Sequence, residues 1–359
     1  MIAYIRRVAV EQKRWLEAPA FDDGVALCQM IPGATAMQTA AYVGLRLRGV
    51  RGAAASFIGF GLPAFVCMIV LAALYAEARA LPMVVAAFEG LRAVIVALVA
   101  NATVTFGKTT LKHWWHGVVA GLAAAEFALG GSPFLVVIAA GLLGLWLRNP
   151  PPVAAAPDEL AHLPHTTKAV AMIVATALAA WLALWFKQRR LAELAGLMAR
   201  IDVFAFGGGF ASVPLMFREV VEVRHWLDAR TLLDGIVLGQ VTPGPIVITA
   251  TFIGSCLAGA AGGIAATVGV FLPSFLMVVS VAPYFDRLLA SPAINRIVAG
   301  VLCSFVGLLV AVSCQFARNV VWTWPHLLLA AAAFVALFLK VDILWVVLVG
   351  TGLSVWLCR

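Results

Sequence analysis

Apolar residues along this chain come in long unbroken runs, not in the alternating pattern of a half-buried strand or the narrow stripe of a surface helix. After a cationic and partly amphipathic opening, residues 1–20, the runs fall at Phe21–Leu47, Gly52–Tyr75, Met83–Phe106, Trp115–Leu129 and Pro133–Leu147. They resume at Ala169–Phe186, residues 191–212, Leu233–Phe275, Ala293–Phe316, Thr323–Leu339 and Ile343–Leu357. Many approach the roughly 20 residues that an α-helix needs to cross a bilayer. Two are interrupted. Phe21–Leu47 carries Pro32-Gly33 at its middle, and Leu233–Phe275 carries Pro243-Gly244-Pro245 in its first half and Leu272-Pro273-Ser274 near its end. The pattern predicts an all-α polytopic membrane protein with about 10–12 membrane segments, some of them broken.

Composition agrees. Of the 359 residues, 63% are hydrophobic and 12% charged, and the mean hydropathy is +1.01. A soluble domain carries about 25% charged residues, so this chain lacks the polar surface to cover itself in water. Its net charge of +8 is spread over short loops, as in the basic loops that mark one face of a membrane, and no nucleic-acid partner is expected. The six cysteines (Cys28, Cys67, Cys256, Cys303, Cys314, Cys358) sit in or beside apolar runs without metal-binding spacing, and packing is their expected role. Only residues 148–167 read as an exposed linker, with three consecutive prolines. Its His162 and His165 have no further ligands nearby, so no metal is expected, and no cofactor either.

The two interrupted runs are copies of one pattern. With Trp15 placed on Trp226, 211 residues on, Arg7 falls on Arg218, Glu11 on Glu222, Asp23 on Asp234, Gln29 on Gln240 and Pro32-Gly33 on Pro243-Gly244. One deletion later, Gly44, Gly49, Gly52, Pro63 and Phe65 fall on Gly254, Gly259, Gly262, Pro273 and Phe275. This divides the chain into a first repeat over 1–147, the linker 148–167, and a second repeat over 168–359. Three arginines, Arg46, Arg48 and Arg51, follow the first break, whereas the equivalent loop Ser255–Gly262 has no charge. Loops on opposite faces of a membrane differ in this way, so the repeats are expected to be inverted. Counting seven spans between those two loops also puts them on opposite faces, but the same count puts the basic turn Lys187–Arg190 outside, so either a short run fails to span or that turn is an exception.

A proline within a bilayer helix frees a backbone hydrogen bond, and unwound backbone at that depth is tolerated only against protein or a water-filled cavity. A helix that restarts after the break points free N–H groups into that cavity, which suits an anion. The candidate substrate-binding residues are therefore Gln29, Pro32, Gly33, Gln240, Thr242, Pro243, Gly244 and Pro245, with Gly207-Gly208-Gly209 as a backbone nest. Thr35, Gln38, Thr39, Thr249 and Thr251 are further donors, although each threonine can instead bond the preceding turn of its own helix. Asp23 and Asp234 are candidates for capping the broken helices or carrying a coupling proton, with Glu89 and Glu126 as further intramembrane acids. Arg200 and Asp202 are expected to pair with each other. No catalytic triad, metal or nucleotide motif is present, so no enzyme activity is expected.

The stretch FGGGFASVPLMFREVVEVRHWL (206–227) with LDGIVLGQVTPGPIVITATFIG and GVFLPSF resembles the second half of the chromate ion transporter family. LCQMIPGATAMQTAAYVG with GFGLPAF resembles its first half. The resemblance implies a multi-pass protein of the inner membrane that exports chromate, a tetrahedral dianion akin to sulfate, confers resistance, and draws on the proton-motive force. Its expected partners are that anion, the lipid bilayer and a second copy in a homodimer. The family's first half begins with an FGG-containing helix, the counterpart of about residues 191–212, and this chain starts after it at Met1, so the resemblance implies a first repeat truncated at its N-terminus; two further departures accompany this. Ala34 replaces the usual second proline, and Asp202 stands where a small residue is usual. Another anion such as sulfate, or a non-transporting membrane accessory, are the alternatives.

Overall fold

The computed structural model describes residues 1–146, 166–284, 288 and 291–357. Among these there are helices and turns and no strand, the outcome expected where backbone groups must pair within their own segment. The linker with His162 and His165, and Cys358, lie outside the described residues.

Residues 1–17 form a short helix, α1 (Ile2–Arg6), running into one wide π-helical turn, Arg7–Gln12. Then come α2 (Ala18–Met30) and α3 (Thr35–Ala78). α3 is two helices. Arg48 (φ −142°) and Gly49 (φ +61°) break it into α3a (35–47) and α3b (50–78). Only glycine accepts that φ without strain. At this turn a Cβ on Gly44 would run into the backbone carbonyl of Gly52, and one on Gly52 into that of Gly44. The two legs therefore touch backbone to backbone. In the second half α11 (Thr249–Val281) breaks in the same way at Ala258 and Gly259 (φ +58°), with Gly254 and Gly262 in the same mutual contact.

The Pro-Gly breaks are points where the chain doubles back. A Cβ on Gly24 of α2 would collide with the ring of Tyr42 of α3a, which is possible only if the two helices lie side by side. Likewise Gly235 of α10 (Ala229–Val241) sits under Phe252, and Gly239 close to Thr249. Three legs have 13 residues and the fourth, 246–257, has 12, so each is at most about 20 Å long, well short of the roughly 30 Å hydrocarbon core. Neither hairpin, with its tip at Pro32-Gly33-Ala34 or Pro243-Gly244-Pro245, is long enough to cross that core.

The long helices surround these hairpins. α3b and the 260–281 leg of α11 run antiparallel: Phe57 packs edge-on against Phe271 and Phe275 (centroids 6.2 and 5.4 Å apart), while Ile69 lies against Gly263. α4 (Pro82–Thr110) and α12 (Pro292–Arg318) exchange partners. The short pair α5 (Trp114–Ala128) and α6 (Pro133–Trp146) packs on α12 through Gly307, Gly300 and Gly144. The pair α13 (Trp324–Phe338) and α14 (Ile343–Leu357) packs on α4 through Gly90 and Gly350. These glycines let backbones approach closely, the usual means of packing helices where lipid removes the hydrophobic drive. Between the halves, α7 (Thr166–Lys187) and α8 (Arg189–Phe204) form a hairpin, held by Trp181 Nε1–H donating to the Ala192 carbonyl at 2.9 Å.

Local geometry recurs along the chain. Six of the nine described residues with positive φ come in pairs, Arg14 and His225 at 50° and 51°, Gly49 and Gly259, Gly130 and Lys340, each 210 or 211 residues apart, while Gly33, Gly207 and Gly208 have no such partner. A second π-helical turn, Phe217–Val223, follows α9 (Ser212–Met216) as the first follows α1. Among the described residues five stretches are long and apolar enough to cross a membrane: Thr35–Ala78, Pro82–Thr110, Thr167–Lys187, Ile246–Tyr284 and Pro292–Arg318. α5, α6, α13 and α14 are too short to cross alone. Since α5 and α6 form a pair, neither of them spanning leaves the count between Arg46–Arg51 and Lys187–Arg190 unchanged in parity, and the basic turn remains an exception. The cysteines divide: Cys28 and Cys303 are buried, whereas Cys67, Cys256 and Cys314 lie on the outer surface of spanning helices. The packing expectation fails for those three because, in lipid, an apolar thiol is equally well accommodated facing outward.

Candidate functional site

The first tip is held by three polar contacts. Gly33, at φ +113°, donates its N–H to the Ala205 carbonyl at 2.8 Å. The Ala34 N–H donates to Ser274 Oγ at 3.1 Å, and that hydroxyl donates to Asp202 Oδ1 at 2.9 Å. The Gln38 amide closes the turn, with Nε2 donating to the Pro32 carbonyl at 2.6 Å. Beyond these, the N–H groups of Thr35 and Ala36, the first turn of α3a, have no acceptor among the described residues, as is general for a helix start without a side-chain cap.

The second tip is drier. Gly244 donates to the Thr242 carbonyl at 2.8 Å and presses on Ala64 of α3b, where any Cβ would collide. Ala64 occupies the position equivalent to Ser274, 210 residues on, so each tip docks on the same place in the opposite half, once on a hydroxyl and once on a methyl. The N–H groups of Ile246 and Val247 also lack an acceptor among the described residues.

The three glycines lie between these two helix starts. Gly207 and Gly208 have φ of +88° and +97°, which a side chain would strain. A Cβ on Gly208 would stand 3.4 Å from Thr35 Oγ1. One on Gly209 would stand 2.8 Å from Ile246 Cγ2 and 3.6 Å from Ile246 N, and one on Gly207 would strike Phe106. The N–H groups of all three glycines have no acceptor among the described residues. Two helix starts and a glycine turn, each with N–H groups that lack an acceptor among the described residues, therefore lie side by side. Hydrogen bonds to a charged acceptor contribute about 1.5–3 kcal/mol each, so several such amides suit an oxyanion. On the far side of the glycines a cavity of about 400 Å³ opens, lined by Asn101, Thr105, Phe106, Gly207 and Phe210 among others.

The remaining candidates are placed as follows. Gln240 is half-buried with Nε2 enclosed and unpartnered, while its equivalent Gln29 is exposed and away from the glycines. Thr39, Thr242 and Thr249 bond carbonyls of their own helix turn, those of Thr35, Gly239 and Ile246, and Thr251 shares a hydrogen bond with Thr267. Asp234 is not a cap. The N-cap of α10 is Asp228, whose Oδ1 accepts the Thr231 N–H at 2.8 Å. Asp234, a turn and a half further on, is buried against the first half, accepting from Arg92 Nε and Nη2 at 2.8 and 2.9 Å and from the Tyr75 hydroxyl at 2.8 Å. Asp23 is half-buried within α2 and does not cap it. Glu89 lies half-buried one turn from Arg92, and Glu126 is exposed at the end of α5.

The expected Arg200–Asp202 pair does not form. Residues two apart point to different faces of a helix. Arg200 lies over the Phe134 ring, 3.8 Å from its centroid, while Asp202 turns inward to Ser274. Ser274 itself was not among the candidates. Its signal is the mismatch with Ala64 at an otherwise matching Leu-Pro-Xaa-Phe.

Long apolar helices around two short hairpins make this an all-α polytopic membrane protein. The family profile described as chromate transporter matches residues 1–145 and 192–355, and the chain belongs to that family. It is 41% identical to an uncharacterized transporter of Methanocaldococcus jannaschii over 98% of this chain and 88% of the relative. It is 29% identical to a chromate transport protein of Cupriavidus metallidurans over 95% of this chain and 83% of that one. With a chromate transport protein of Pseudomonas aeruginosa the identity is 30%, over 99% and 87% respectively. No solved structure matches the chain.

Proposed function

We propose that this protein is a secondary transporter that exports chromate, or a similar tetrahedral oxyanion, across the inner membrane and so confers chromate resistance. The observation that carries this reading is that the helix starts after both Pro-Gly breaks lie against Gly207–Gly209, with N–H groups that lack an acceptor among the described residues. A dianion fits there, bound by backbone N–H groups with Thr35 and Gln240 at the margin. The two halves are inverted copies, a reading supported by the antiparallel α3b and α11 legs and by the paired positive-φ residues. Rocking one half against the other alternates access to the meeting point. Homodimerisation is compatible with the apolar outer surface. No chemistry is performed on the ion.

An amide-only cradle reads charge and shape, which sulfate shares with chromate. That favours sulfate as the second reading. Labelled chromate flux in proteoliposomes, with sulfate as competitor, ranks the two, and Gly244→Leu is the site test. The leucine cannot fit against Ala64, so resistance should vanish at unchanged protein level. Normal tolerance in that strain would count against the site, and no flux of either anion in the wild type would leave the accessory reading.

A further inference from the structure

Asp202 is buried completely, and its Oδ2 has no partner among the described residues. Its Oδ1 is one hydroxyl away from the first tip, through Ser274 to the Ala34 amide. An ionised carboxylate in such a place is costly unless paired, and among the described residues no cation pairs with it. On its own helix Arg200 is occupied by Phe134 and Glu193 pairs with Arg189 at 2.9 Å. α11, which carries Ser274, contains no Asp, Glu, Lys, Arg or His, and neither does the tip from Ile31 to Leu45. The equivalent docking point of the second tip has Ala64, a methyl where the first has the Ser274 hydroxyl.

We propose that Asp202 is the proton-binding group of the transport cycle, taking up one proton when the anion occupies the neighbouring amides and releasing it when the anion leaves. This rests on the anion-site reading above. The step adds one H⁺ from water to a carboxylate oxygen, forming one O–H bond, and the release breaks it; no electron moves. The coupling has a definite sign. A dianion and an ionised Asp202 repel each other across the tip, so binding of the anion strengthens binding of the proton, and by reciprocity the proton strengthens binding of the anion. The two therefore travel together. A dianion accompanied by one proton carries a net single negative charge, which an inside-negative potential still drives outward.

The test uses the full-length protein in proteoliposomes with chromate, well above the ion's own protonation range. Labelled flux, electrode current and internal pH are recorded together. The wild type should move about one net negative charge per anion, with protons following the anion. Asp202→Asn should keep anion exchange, move about two charges per anion and no protons. Asp202→Glu should restore proton movement with a displaced pH profile. Ser274→Ala, which copies the natural Ala64 of the other half, should shift the pH midpoint of flux while retaining exchange. Proton movement by Asp202→Asn equal to the wild type overturns the proposal, as does anion transport by the wild type without protons. If Asp202→Asn fails to fold, an unshifted pH midpoint in both Asp202→Glu and Ser274→Ala overturns it. Absence of exchange in the wild type refutes the anion site itself, a different failure.

Discussion

The ion pair between Arg92 and Asp234 ties the second hairpin to the first half of the chain, and its removal has a calculable cost. The Asp234 side chain is 3% exposed and that of Arg92 13%. Three donors reach the carboxylate within 2.9 Å. Arg92→Met leaves that carboxylate buried with only the Tyr75 hydroxyl, and breaking a buried pair from one side costs about 3–5 kcal/mol. Tyr75→Phe removes one hydrogen bond to a charged group, about 1.5–3 kcal/mol. Replacing both ions, Arg92→Met with Asp234→Leu, removes the charge and the need to solvate it together, so most of the single-mutant loss should return. Unfolding of the purified protein in mixed micelles against increasing SDS gives these values and that of Asp234→Leu alone, and the double-mutant cycle built from the two singles and the double gives the coupling. If Arg92→Met costs less than about 1 kcal/mol, water reaches the pair and the argument from burial fails. If the double variant is as unstable as the sum of the singles, the two residues do not act as a unit. Either result would also remove the reason to regard the second hairpin as anchored.

Gly33→Ala places a side chain at φ +113° and against Ser274, so chromate flux should fall at least tenfold with the protein still inserted. Gly208→Ala has room, with Thr35 Oγ1 at 3.4 Å, but not the right φ, and should weaken anion binding more than it lowers expression; unchanged competition by sulfate would refute the nest. At Asp228 burial opposes ionisation, but the Thr231 and Arg230 amides and the Thr231 hydroxyl outweigh it and hold the carboxyl below its usual range. The stability it adds is therefore whole above about pH 4 and is lost as the pH falls further. Asp228→Ala should cost about 0.5–2 kcal/mol at neutral pH, and the difference from the wild type should close in acid.

Much of this arrangement is written in the chain. The Pro-Gly breaks, their pairing at a fixed offset and the glycines at 207–209 all follow from residue type, because proline and glycine carry their backbone consequences with them. Hydropathy conveys less. It measures the length of an apolar run, and cannot tell a helix that crosses from two legs that turn back, so Phe21–Leu47 reads as a single interrupted segment when it is a hairpin. The contacts of the acids were not legible either. Asp234 reads as a cap from its place near the start of a run, yet the residues that claim it, Tyr75 and Arg92, lie 159 and 142 positions away. Asp202 and Arg200 read as partners only while the helix that separates their directions is ignored. Gln29 and Gln240 match in sequence, but their surroundings differ: one is exposed and the other encloses an unpaired amide.

The glycine contacts at Gly44–Gly52 and Gly254–Gly262 have a mechanical consequence. With backbone against backbone at the turn, α3a and α3b cannot close further on each other, and the same holds in α11. Each tip is then the docked end of an arm joined at its base to a spanning helix. For an arm about 20 Å long, a tilt of about 10° carries its tip about 3–4 Å, more than the length of a hydrogen bond. A small lean of one span is thus geared up into the making or breaking of every contact at its tip, and the gearing ratio is set by the number of residues between the glycine and the proline.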